Sequence, residues 1–228
     1  QIRHIAQPST RDPFWSDVIL SMSGDNLTEN KGKVPTITGV TVDTSVKRYG
    51  SGSLKKNNVS DKISFVSVPE FNLKKDAFTI ELWYNPGNSV GTGRYLAAQS
   101  GAAGSRGWTI MVGPSGTGAI QFGFSLDGSN TYSVGNAASV TVSTNTWYHI
   151  AVVRDRNSNN FTLYVNGNRV ASQNVGDVSL FDSSLPVTLF ATNNENYESG
   201  YYIDDFRVSR FARYTSSFTP PTRSLQTT

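Results

Sequence analysis

The stretch from Trp147 to Arg169, WYHIAVVRDRNSNNFTLYVNGNR, constrains the fold more than any other part of the chain. Its first run, Trp147 to Arg154, sets Tyr148, Ile150 and Val152 against Trp147, His149, Ala151 and Val153. Large groups on both sides predict a central strand covered on both faces. Arg154 to Asn160 offers no apolar side chain to a core and reads as a solvated connection. Phe161 to Val165 is β-branched and aromatic and runs into Asn166-Gly167, whose tolerance of left-handed backbone fits a two-residue type I′ turn. Arg169 to Ser172 should then fold straight back. Three strands packed this tightly along the chain predict an antiparallel β protein.

The flanking sequence repeats the pattern. Val18 to Met22, Thr36 to Asp43, Ser53 to Lys56 and Lys62 to Val68 are strand candidates separated by turn-forming residues. Phe78 to Asn85 alternates Phe78, Ile80, Leu82 and Tyr84 with Thr79, Glu81 and Trp83, and Pro86-Gly87 ends it. Tyr95 to Gln99, Trp108 to Val112 and Ala119 to Leu126 read as a meander, with Thr131 to Val134 and Val140 to Val142 after it and Val187 to Thr192 and Tyr201 to Arg210 closing the series. No segment of ten or more residues holds a helical period, and no repeat of solenoid or propeller length is present. The expectation is all-β: a two-sheet antiparallel jelly-roll sandwich. It spans residues 14–220, with 1–13 as an N-terminal arm or linker that orders on a partner and 221–228 as a C-terminal tail.

A chain of 228 residues buries enough surface as one domain to need no covalent staple, and without cysteine it has no disulfide, no thiol nucleophile and no thiolate metal site. The net charge of +3 comes from dispersed Lys and Arg, which read as solvated charges and imply no nucleic-acid partner. No apolar run is long enough to cross a bilayer, so membrane insertion is not expected. Gln1 to Arg11 carries no signal-peptide pattern, although a chain that starts at Gln can have lost upstream sequence.

Four segments now stand in order: Phe78 to Trp83 (FTIELW), Thr146 to Arg154 (TWYHIAVVR), Leu163 to Gly167 (LYVNG) and Ile203 to Ser209 (IDDFRVS). This set resembles the laminin-G-like, concanavalin A-like jelly-roll superfamily over roughly residues 14–220. The lead-in Asp12 to Val18 (DPFWSDV) and the exit Tyr214 to Pro221 (YTSSFTPP) resemble those of such domains in tailed-bacteriophage virion proteins. The resemblance implies a domain on a tail fibre, spike or capsid surface, outside the cell. Its implied partners are a host surface glycan or protein and, through the arm, other virion subunits. By analogy with fibre-borne domains a homotrimer is the oligomer to expect. The alternative is a purely structural decoration protein whose sandwich touches no host.

The same superfamily hosts glycoside hydrolases, which need two carboxylates on one face. Glu81 has only Thr79 and Trp83 beside it, and Asp204 and Asp205 are adjacent, so alternation separates them. No paired-carboxylate mechanism or Ser-His-Asp arrangement is visible, and no enzyme is expected. Asp204, placed by alternation with Tyr202, Phe206 and Val208, is a carboxylate facing an apolar layer and needs a partner. In related laminin-G-like and pentraxin-like domains an acid on this strand helps hold a structural Ca²⁺ with the loop after the first strand. The resemblance therefore implies Asp25, Asn26 and Asp204 as ligands, and oxygen donors from an irregular loop suit Ca²⁺. The competing reading has Asp204 accepting backbone N–H bonds. Glycan binding needs an exposed ring and planar polar groups. Glu81 with Trp83, the loop residues Asn193, Asn194 and Tyr197, and Tyr201 are the candidates, unless Trp83 is covered by a loop.

Overall fold

The computed structural model describes residues 12–91, 93–113, 119–134, 140, 142–195 and 197–224. They form β1 (Val18–Met22), β2 (Pro35–Thr38), β3 (Thr41–Asp43), β4 (Ser53–Lys56), β5 (Lys62–Phe65), β6 (Phe78–Asn85), β7 (Arg94–Gln99), β8 (Trp108–Val112), β9 (Ile120–Phe124), β10 (Tyr132–Val134), β11 (Tyr148–Asp155), β12 (Asn160–Val165), β13 (Asn168–Asn174), β14 (Val187–Leu189) and β15 (Tyr201–Ser209). The first sheet runs β13-β12-β11-β6-β15-β4-β3, with β1 also on β15; the second runs β10-β9-β8-β7-β14-β5-β2. Every pairing is antiparallel, as the alternation predicts.

The inward-facing residues of the two sheets make one core, in which Phe161 meets Phe124 at 4.9 Å and Phe122 at 5.6 Å between ring centroids. β11 lies inside the first sheet with its first seven residues buried, so the side chains on both its faces are covered. The Asn166-Gly167 hairpin has φ of 48° and 76° at its two central residues, as a type I′ turn requires. The stretch Thr36 to Asp43 is not one strand. Gly39, at φ 66°, breaks it, and β2 and β3 enter opposite sheets. Of the Val140 to Val142 strand, residue 141 lies outside the described residues.

The outward face of the first sheet is roofed by the chain after β15. Ala212, Tyr214 and Phe218 pack on Ala151, Val153 and Tyr164, and the Tyr214 and Phe218 rings stack at 3.5 Å. This roof covers Thr79 and Glu81 on the outward face of β6, all eight residues of which are buried. Gly167 makes room for it: the Phe218 N–H donates to the Gly167 carbonyl at 2.9 Å, and a Cβ on Gly167 would lie 1.8 Å from the Phe218 carbonyl oxygen. Gly167→Ala should therefore lose at least about 1–2 kcal/mol from left-handed strain alone. It should also loosen the roof, measurable as faster hydrogen exchange at Phe218.

Candidate functional site

Beneath that roof the sheet carries charge. The Glu81 carboxylate, fully buried, accepts from Arg207 Nε at 2.9 Å and Nη2 at 2.7 Å through one oxygen. The other oxygen accepts from Tyr214 Oη at 2.9 Å and lies 3.2 Å from His149 Nε2. Asp12 closes the array by accepting from Arg207 Nη1 at 2.9 Å and from Arg213 Nη2 at 2.7 Å. Burial alone pushes the Glu81 carboxyl up, but the Arg207 guanidinium, the His149 bond and Arg213 outweigh it and hold it well below the usual carboxylate range. Glu81 is thus a clasp between sheet and roof and has no face to offer a sugar. The expected arm also shrinks: Asp12 belongs to the fold, and residues 1–11 lie outside the described residues.

The other strand-borne candidates are closed in the same way. Trp83 lies under the loop between β3 and β4, with the Arg48 guanidinium 4.1 Å over its ring and Tyr49 edge-on at 5.9 Å. Tyr201 points into the sandwich and donates its hydroxyl to the Tyr95 carbonyl at 2.6 Å. Neither reaches solvent.

Asp204 does not share a face with Phe206 and Val208. A β-bulge between Asp204 and Arg207, with Asp205 at φ 49°, shifts the parity of β15: Ile203, Phe206 and Val208 face the core, and Asp204 stands opposite Trp83. Its carboxylate accepts the N–H groups of Gly24 at 3.0 Å, Arg48 at 3.0 Å and Tyr49 at 3.2 Å. Burial pushes this carboxyl up to about 6, against the pull of those N–H groups. Asp25 binds Ser51 and Gly52 N–H groups, and the Asn26 oxygen accepts from Thr28. Each candidate ligand thus faces N–H or O–H donors, which repel a cation, and the described residues contain no cluster of three acidic or His side chains suited to a metal. The candidate oxygens already anchor two loops through these bonds, and the N–H and O–H groups around them disfavour a cation. Adding calcium or EDTA should leave Tm unchanged, and a calcium-dependent rise of several degrees would contradict this.

The open surface is on the other sheet. The outward side chains Thr109 and Met111 of β8, Gln121 of β9 and Ser133 of β10 floor a groove of about 410 Å³. Gly123 deepens it, since a Cβ there would lie 2.6 Å from Thr109 Oγ1. The loop between β14 and β15 forms one wall. There Tyr197, 43% exposed, stacks on Tyr95 at 5.2 Å, and Tyr95 Oη donates to Glu195 Oε2 at 2.6 Å. Arg106, just before β8, also lines the groove.

Of the loop candidates, Asn194 and Tyr197 line this groove. Asn193 instead spends its amide on the Ser100 and Pro186 carbonyls, at 3.2 and 2.9 Å, and so fastens the loop. Sequence reading missed Tyr95, Arg106, Thr109, Met111, Gln121 and Ser133. The available signal was the outward phase of the β8 and β9 meander, where Thr109, Met111, Gln121 and Gly123 alternate with Trp108, Ile110, Ile120 and Phe122.

Two apposed antiparallel sheets, one roofed and one presenting a polar groove, define a lectin-like sandwich. The chain belongs to the Concanavalin A-like lectin/glucanases superfamily, whose family model matches residues 60–216. No curated protein matches it. Among solved structures it is similar to the binding domain of Paraclostridial Mosquitocidal Protein 1, with a TM-score of 0.69 and 18% identity over 87% of this chain and 50% of that one. It is also similar to the botulinum neurotoxin serotype D binding domain, with a TM-score of 0.65 and 18% identity over 86% and 49%. The botulinum neurotoxin type G receptor binding domain gives 0.62 and 18% over 87% and 49%. The chain spans about half the length of each of these domains, and at such identity the likeness is one of fold.

Proposed function

We propose that this chain is a non-catalytic adhesion domain that binds glycan of a host cell surface in the groove over β8, β9 and β10. The observation that carries this reading is the asymmetry of the sandwich. The first sheet spends its outward face on a roof and a buried ion array, whereas the second leaves polar side chains facing outward beside the exposed ring of Tyr197. An exposed ring with hydroxyl and amide groups at one surface is what a sugar requires: stacking on its apolar face and hydrogen bonds to its hydroxyls. The solved binding domains of similar fold are consistent with a role in recognition.

The groove argues against a retaining hydrolase, because Glu195 is the one carboxylate among its described lining residues and that chemistry needs two. A phage virion surface, outside the cell, is the setting we favour, supported by the resemblance of Asp12 to Val18 and Tyr214 to Pro221 to the flanks of virion domains. In the fold Asp12 pairs with Arg213, the residue just before the second of these segments. Whole-cell binding by the purified chain tests the role. Tyr197→Ala should weaken binding about tenfold, equivalent to about 1.4 kcal/mol. Attachment to virion subunits with no binding to cells or glycans would establish the decoration role instead.

A further inference from the structure

Resting on the reading of this groove as a glycan site, we infer that it selects acidic polysaccharides, holding a sugar carboxylate on Arg106. The arginines elsewhere are mostly spoken for. Arg94, Arg207, Arg210 and Arg213 each pair with a carboxylate, and Arg154 gives its two terminal nitrogens to the Lys74 and Val178 carbonyls. Arg106 is half-buried at the groove and donates Nη1 to the Ser129 carbonyl at 2.7 Å. It has no carboxylate partner among the described residues. That bond uses Nη1, and among the described residues Nε and Nη2 have no acceptor.

A planar guanidinium edge with two free N–H directions matches the two oxygens of a carboxylate, and the charge-assisted pair is stronger than any bond it could make to a neutral hydroxyl. The groove's own acid does not supply that partner. Glu195 is held on the Tyr95 hydroxyl at 2.6 Å, in the wall formed by the loop between β14 and β15. The floor between, with Thr109, Gln121 and Ser133, offers neutral donors and acceptors for hydroxyls. The neutral contacts give affinity for sugar in general; Arg106 gives preference for the carboxylated kind.

The test is binding of the full chain to an immobilised panel of acidic and neutral bacterial surface polysaccharides. The best binder is then compared with its carboxyl-reduced form, in which each carboxylate is a primary alcohol. The expected result is binding to carboxylated polymers, at least tenfold weaker after carboxyl reduction and weaker as salt rises from 0.05 to 0.5 M, on the order expected for a screened charge pair. Arg106→Gln should lose the same factor toward the acidic polymer. Arg106→Lys, which keeps the charge without the planar fork, should fall between the two, and it decides the matter if the glutamine variant does not fold. Tyr197→Ala should weaken both polymer classes. Preferential binding of neutral polymers, or equal binding before and after carboxyl reduction, would overturn the selectivity while leaving the groove as a glycan site. Binding to no polysaccharide of the panel would remove both.

Discussion

Glu81→Gln is expected to cost about 3–5 kcal/mol, because it removes the fully buried one of the two carboxylates on Arg207 and leaves Asp12 alone to balance that guanidinium and Arg213. In a domain of this size that is a fall in Tm on the order of 10 °C. The side chain of Glu81 is fully buried and that of Arg207 is 5% exposed, so water cannot replace the missing partner. The loss should be larger and less dependent on salt than for a surface pair such as Lys75 with Asp177, whose side chains are 46% and 61% exposed. The pH dependence has a definite sign. Glu81 is held below its ordinary value of 4.5 in the folded state, so its contribution is present above that pH and is lost as pH falls below it. Asp12, also lowered against the opposing effect of burial, adds to the same trend. Asp204 works in the opposite sense: raised from 3.8 to about 6, its contribution is full below 3.8 and is lost as pH rises through about 6. Acid unfolding below about pH 4 should therefore draw on the clasp, whose carboxylates are the buried ones among those held low. It should be blunted in Glu81→Gln, and denaturant titrations of both proteins between pH 3 and 7 would show it. An unchanged acid limb in the variant would remove Glu81 from that role.

Arg94→Ala is expected to damage stability and binding together. Its guanidinium, 1% exposed, donates to Glu198 at 3.1 Å, Tyr84 Oη at 3.2 Å and the Pro86 carbonyl at 2.8 Å, and lies 5.0 Å over the Tyr201 ring. Truncation leaves buried acceptors unsatisfied at about 1–3 kcal/mol each, so a total near 3 kcal/mol is expected. The same bonds fasten the segment that carries Glu195 and Tyr197, so glycan affinity should fall even under conditions where the variant is fully folded. Arg94→Lys would keep the charge and lose the fork, and should recover only part of either property. A variant that binds normally while melting earlier would show that the wall needs no such support.

How much of this was legible depends on the kind of signal. Alternation in Phe78 to Asn85 and the Asn166-Gly167 turn specify strand, phase and hairpin through local sterics, and the fold followed from them. The burial of Glu81 was not legible, because it depends on Tyr214 and Arg207, more than a hundred residues away in sequence. For the same reason Trp83 read as a ring available for stacking when Arg48 and Tyr49 cover it. The face of Asp204 was misread because a bulge shifts parity by one residue, and nothing in IDDFRVS marks where an extra residue sits. The groove escaped notice for a different reason. Its residues are single outward positions on several strands, and only the sheet order brings Gln121 and Ser133 beside Tyr197. Asn194 and Tyr197 stood out in the sequence because an Asn-rich loop with an aromatic tip is a local feature, and the fold places both at the groove.

The most direct test of the account is a backbone amide NMR titration of the isotopically labelled, deuterated chain with a polysaccharide it binds. Shifts confined to Thr109, Met111, Gln121, Ser133, Asn194 and Tyr197 and their neighbours are the predicted result. Shifts gathered instead on the roof around Tyr214 and Phe218, or on the loop that covers Trp83, would contradict it.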